Sequence, residues 1–126
     1  MSRLLVVDDS KVMRDMIVAC LRADGSLNFA HAGSGLEAIE QLSLEPFDLV
    51  VLDLNMPDIG GLEVVEFIRG QDRLKKLPIV VVTTRGDGTS RGRALEAGAS
   101  VFLVKPFDPE EILREVQKLL VPAVSA

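Results

Sequence analysis

Five short apolar runs, separated by segments of helical repeat, constrain this chain more than any other feature. They lie at residues 4–7, 27–30, 49–52, 79–82 and 101–104. Four are rich in Val, Ile or Leu, and three are almost unbroken. Unbroken runs bounded by turn residues suit strands buried on both faces, the situation in a parallel sheet. The second run, Leu27-Asn28-Phe29-Ala30-His31, is more polar and reads as an edge strand.

The segments between the runs carry helical spacing. Ser10 is a favourable N-cap, followed by Met13, Ile17, Cys20 and Leu21 on one face. Leu36, Ile39 and Leu42 form a second, weaker stripe; Leu62, Val65 and Ile68 form a third that ends near Gly70. The last helix follows Asp108-Pro109, a cap and a first-turn proline in the favoured order, and its apolar face is Ile112, Leu113, Val116, Leu119 and Leu120. Between Thr83 and Gly98 the pattern weakens, because Gly86, Gly88 and Gly92 fall there and Leu95 is the one large apolar residue. The spacing predicts a short helix over about 89–97, preceded by a mobile loop. Strand–helix alternation throughout implies an α/β fold, an open parallel sheet with helices on both faces.

At 126 residues the chain matches a single domain, 1–126, with a core over about 3–120 and a tail at 121–126 that frays where Pro122 stops the last helix. Nineteen acids against fourteen bases give a net charge of −5, which disfavours a nucleic-acid surface. The first apolar run is too short for a signal peptide or a membrane span. The single Cys20 excludes a disulfide framework and suits a reducing, cytoplasmic setting. On the apolar stripe it reads as a packing residue, and His31, with no second metal ligand nearby in sequence, reads as a surface or packing histidine.

In open parallel sheets the reactive groups sit just past the carboxyl ends of the strands. Here the first run ends in Asp8-Asp9, the third in Asp53, the fourth in Thr83-Thr84 and the fifth in Lys105-Pro106. Each alone has a plain reading: helix-entry acids, a turn residue, a solvated lysine. Their joint placement at successive strand ends points instead to one patch. Three crowded carboxylates either rise in pKa or gather a cation, and hard oxygen ligands suit Mg²⁺. A lysine and a threonine beside them supply a charge and a hydroxyl for phosphoryl oxygens. The patch therefore reads as a phosphoryl-transfer site with one carboxylate as nucleophile.

At these residues the chain resembles the response-regulator receiver domains of two-component signalling, the CheY-like chemotaxis regulators in particular. The resemblance is carried by Val6-Val7-Asp8-Asp9-Ser10, Leu52-Asp53-Leu54-Asn55-Met56-Pro57, Gly61-Leu62-Glu63, Val82-Thr83, Ala97-Gly98-Ala99 and Lys105-Pro106-Phe107, in the family's order and spacing. It implies a flavodoxin-like (βα)5 sheet of strand order 2-1-3-4-5. It implies that Asp53 is the phosphoacceptor, taking a phosphoryl group from a phosphohistidine on a sensor histidine kinase or phosphotransfer protein. Asp9, Asp53 and the backbone carbonyl of Asn55 would hold Mg²⁺ directly, with Asp8 acting mainly through a metal-bound water. Lys105 would pair with a phosphoryl oxygen and the Thr83 hydroxyl would move to another. Phe102 would be the aromatic switch that turns inward, and the Lys105–Pro106 bond would be cis. The face made by helix four, strand five and helix five would then change shape for a downstream protein such as a motor switch or a kinase. Such a chain performs its own transfer and its own hydrolysis without being a conventional enzyme, and is expected to be a monomer.

Where the family commonly carries an acid and a glycine after the acceptor loop, this chain has Gly60-Gly61, a change expected to soften that loop. An alternative is that the chain is the receiver part of a hybrid kinase or multidomain regulator. An aspartyl-phosphate phosphatase of the haloacid-dehalogenase type is a weaker alternative, because Asp53-Leu54-Asn55 lacks its second acid and the chain has no room for a cap domain. A flavodoxin-like cofactor binder would need a phosphate loop after strand one. A pseudo-receiver that only binds partners would not need Asp8, Asp9, Asp53, Thr83 and Lys105 together.

Overall fold

The computed structural model describes residues 2–120. The tail expected to fray, 121–126, lies outside the described residues. The chain alternates β1 (Ser2–Val7), α1 (Lys11–Leu21), β2 (Leu27–Ala32), α2 (Gly35–Leu44), β3 (Leu49–Leu52), α3 (Gly61–Gly70), β4 (Ile79–Thr83), α4 (Gly88–Ala97), β5 (Val101–Val104) and α5 (Pro109–Leu120). All five strands are parallel and lie in the order β2-β1-β3-β4-β5. β2 is the edge its polar sequence suggested. Among the described residues no helix is long and apolar enough to cross a membrane.

Alternation along each strand divides the core into two layers. Leu5, Val7, Val50, Leu52, Ile79, Val81 and Phe102 pack toward α2, α3 and α4. Leu4, Val6, Leu49, Val51, Val80, Val82 and Leu103 pack toward α1 and α5. The three central strands β1, β3 and β4 are covered on both faces, which is why their sequences are apolar at consecutive positions.

The helices start where their caps dictate. Ser10, Ser34 and Asp87 each accept a hydrogen bond from the backbone N–H three residues on. Two apolar stripes differ from expectation. In α1 the buried residues are Ile17, Val18 and Leu21, with Met13 and Cys20 half-buried. In α2 Leu36 is 58% exposed, and Gly35, Ala38 and Leu42 make the contact instead. Gly35 lies too close to the backbone of Ile59 for any side chain, so α2 presses on the β3–α3 loop through small residues. The weak fourth helix forms one residue earlier than expected. It buries Ala94 and leaves Leu95 38% exposed. Its end is the positive-φ Gly98 (φ 123°), whose carbonyl accepts from the Arg69 guanidinium.

Candidate functional site

Register decides which side chains meet. Val7 pairs with Ala32 on one side and Leu52 on the other. Asp8 and Asp53 therefore emerge next to each other, one residue past the paired ends. Their backbone N–H groups still continue the ladder, to Ala32 O at 3.1 Å and to Val7 O at 3.1 Å. Thr83 pairs with Val104, so Lys105 follows immediately, its N–H donating to Thr83 O at 2.8 Å.

Asp8, Asp9 and Asp53 each place a carboxylate oxygen within 4.8 Å of the others. Asp8 and Asp53 are buried, at 1% and 6% exposure, while Asp9 is open to solvent. Lys105 Nζ lies 2.6 Å from Asp8 Oδ2 and 3.4 Å from Asp53 Oδ2. The ammonium thus rests mainly on Asp8. Asp8 Oδ1 accepts from Ser10 N–H at 2.9 Å, and Asp53 Oδ1 accepts from Asn55 N–H at 3.2 Å. Both buried carboxylates are held from two sides, and Asp53 is the more loosely held. One ammonium among three carboxylates leaves uncompensated negative charge and a set of hard oxygen donors, which fits a divalent cation such as Mg²⁺.

The loop that carries Asp53 is tighter than its Gly60-Gly61 pair suggested. A Cβ on Gly61 would sit 2.2 Å from Asp53 O and 2.7 Å from Leu54 Cα, and Gly61 N–H donates to Leu54 O at 3.0 Å. Glycine here permits a close backbone approach that a side chain would forbid. The following Asp58 crosses to α2 and accepts from Gly35 N–H at 3.1 Å and Leu36 N–H at 3.0 Å. The Leu36 N–H bond foremost, helped by the neighbouring amides, lowers the Asp58 carboxyl to about 2.

Thr83 is fully buried and its Oγ1 accepts from Arg85 N–H at 3.2 Å. Asn55 Nδ2 donates to Thr84 Oγ1 at 3.3 Å, joining the acceptor loop to the end of β4. The Lys105–Pro106 bond is cis, as expected. Phe102, the expected aromatic switch, lies in β5. It is 6% exposed, packed in the same layer as Ala94 and Ala99, with Arg91 Cζ 5.8 Å from the ring centroid.

Two residues near the site went unrecognised in the sequence. Arg14 donates to Asp8 O at 2.6 Å and to His31 Nδ1 at 3.3 Å, pinning the acidic turn to α1 and β2. Its signal was faint: a base one turn into the helix that follows the acids. Nothing in the chain near Asp58 announced a partner 23 residues away.

Residues 4–117 match the response regulator receiver domain family. Chemotaxis protein CheY1 of Helicobacter pylori is 37% identical over 119 residues, 94% of this chain and 96% of that protein. The chemotaxis response regulator CheY4 of Vibrio cholerae superposes with a TM-score of 0.86 at 35% identity, over 95% of this chain and 99% of that one. The receiver domain of sensor histidine kinase PA1611 from Pseudomonas aeruginosa superposes with a TM-score of 0.86 at 27% identity, over 94% of this chain and 97% of that one, and its structure has a magnesium ion coordinated in the active site cleft. With its 2-1-3-4-5 sheet and its acids gathered at the strand ends, the chain belongs to the response regulator receiver domain family and is a receiver of the CheY-like kind.

Proposed function

We propose that Asp53 accepts a phosphoryl group from the phosphohistidine of a sensor histidine kinase or phosphotransfer protein in the cytoplasm. The observation that carries this reading is Lys105 Nζ set between Asp8 and Asp53 inside a cluster of three carboxylates. Asp9, Asp53 and the Asn55 backbone carbonyl would hold Mg²⁺, with Asp8 behind them. When bound, the ion offsets the charge that collects on the phosphoryl oxygens. Asp53 is the nucleophile because it is buried beside Lys105 yet held by the longer of the two ion pairs. Lys105 leaves Asp8 for a phosphoryl oxygen, and Thr83 turns its hydroxyl toward another.

Those moves reach the opposite face of the sheet. Thr83 belongs to the strand row that contains Val81 and packs in the layer of Phe102. A Thr83 drawn to the phosphoryl group favours the inward Phe102 and fixes the surface of α4, β5 and α5 for a downstream protein, a motor switch or a kinase. The same site then hydrolyses its own acyl phosphate, so the chain performs phosphotransfer and autodephosphorylation without being a conventional enzyme.

The test is intact-mass spectrometry after incubation with acetyl phosphate. A phosphoryl adduct is expected on the wild-type chain with Mg²⁺, and none on Asp53→Asn or in EDTA. An adduct that persists in Asp53→Asn, or its absence from the wild type, contradicts the assignment.

A further inference from the structure

Three sulfur-bearing side chains of α1 share one groove, and the phosphoryl chemistry proposed above uses none of them. Met13, Met16 and Cys20 line a space of about 410 Å³ between α1 and the β5–α5 connection. Steps of three and four residues put them on one face of the helix, with Met16 one turn from each of the others. Met13 and Cys20 are half-buried against the core, and Met16 is 48% exposed. We propose that this groove binds a soft monovalent cation of the Cu(I) class through the Cys20 thiolate and the Met13 and Met16 thioethers. The proposal is independent of the phosphoacceptor reading, because it uses no carboxylate.

Donor chemistry selects the kind of ion. Thiolate and thioether sulfurs are soft ligands that favour Cu(I), whereas carboxylate oxygens suit Mg²⁺. The sulfur groove and the carboxylates of Asp8, Asp9 and Asp53 therefore take different ions, although they are neighbours. Charge selects the valence. One thiolate and one monovalent ion are neutral together, and a groove walled by Pro106 and Phe107 holds a neutral pair without burying net charge. A divalent ion would keep a positive charge near Lys105. That residue also lines the groove, yet its Nζ is paired with Asp8 at 2.6 Å and Asp53 at 3.4 Å, on the acidic side.

Flexibility supplies the geometry. A methionine has three rotatable side-chain bonds and a polarizable sulfur, so Met13 and Met16 can close on an ion held at Cys20 Sγ. A filled d-shell imposes no fixed polyhedron, so sulfurs from one helix face suffice. Cys20 is a free thiol. On binding, its sulfur forms a bond to the ion and the thiol proton leaves to solvent. No electron is transferred.

The experiment measures Cu(I) uptake by the full chain without oxygen and with Mg²⁺ present, in competition with bicinchoninate, a coloured Cu(I) chelator. The wild type is expected to withdraw one Cu(I) per chain, and Cys20→Ala none. The double variant Met13→Leu, Met16→Leu is expected to bind about tenfold more weakly, the scale on which metal sites respond to a lost partner. Leucine keeps the volume and apolarity of methionine, and a melting temperature near that of the wild type checks the fold. Methyl NMR with Ag(I), a redox-inert ion of the same class, gives a second readout. The methyl signals of Met13 and Met16 are expected to shift, and that of Met56, which packs in the opposite layer, to stay. Failure to withdraw Cu(I) from the chelator overturns the proposal, as does uptake that survives in Cys20→Ala. Affinity unchanged in the double variant also overturns it, because the thiol then binds alone as any free cysteine does.

Discussion

Asp9 and Asp58 are both exposed acids, and their neighbours give them opposite effects on stability. Asp9 faces Asp8 and Asp53 with Lys105 committed to the other two. Removing its charge relieves repulsion that only a cation would otherwise offset. Asp9→Ala is expected to stabilise the metal-free fold by about 0.5–1 kcal/mol and to abolish the stabilisation conferred by Mg²⁺. Thermal melts in EDTA and in Mg²⁺ measure both, and a lower melting temperature for the variant in EDTA would refute the crowding argument. Asp58 instead receives two amides from the start of α2, and they lower its carboxyl from 3.8 to about 2. A depressed folded-state pKa means that the ionised group stabilises the fold above its unfolded value, and that this contribution is lost as pH falls toward 2. Asp58→Asn is therefore expected to melt below the wild type near neutral pH, with the gap closing between about pH 4 and pH 2. A gap independent of pH over that interval would show that the carboxylate charge is not what ties the loop to α2.

Among the elements, the sheet separates the acidic cluster from the proposed switch residues. Asp8, Asp53 and Lys105 extend the rows that face α1 and α5, while Thr83 and Phe102 belong to the rows that face α4. Adjacent strand ends connect the two layers through one backbone bond, Lys105 N–H to Thr83 O. On the latter side α4 is the weakest helix by sequence. Gly92 lies inside it with no heavy atom within 4 Å of where a Cβ would be. Gly92→Ala is expected to stabilise the fold by about 0.5–1 kcal/mol and to slow hydrogen exchange of the α4 amides. Unchanged exchange would mean that α4 is limited by its packing and not by its backbone freedom. The same contrast explains what could be read from the chain. Central strands such as 49–52 were legible because burial on both faces leaves an unbroken apolar run. The stripe of α2 was misread at Leu36 because a three-residue spacing does not reveal that Gly35 and Ala38 make the close contact. Phe102 was legible as an aromatic of the last strand, but the Arg91 guanidinium beside its ring was not, since the two meet only in the folded chain.

For the molecule as a whole, the site was legible because parallel register carries residues at successive strand ends to one place. Asp8, Asp9, Asp53 and Lys105 needed only that topology to meet. Arg14 and Asp58 did not show themselves, because their partners are backbone groups that close only in the folded chain. In the proposed function, charge chemistry at Asp53 on the α1–α5 side of the sheet is transmitted to the α4 side. Amide NMR with Mg²⁺ and beryllofluoride, a mimic of the phosphoryl group, tests this most directly. Shifts are expected both around Asp53 and across Thr83, Phe102 and α4 in the wild type, and at neither place in Asp53→Asn. Shifts confined to the acidic cluster, or shifts at α4 that survive in Asp53→Asn, would contradict it.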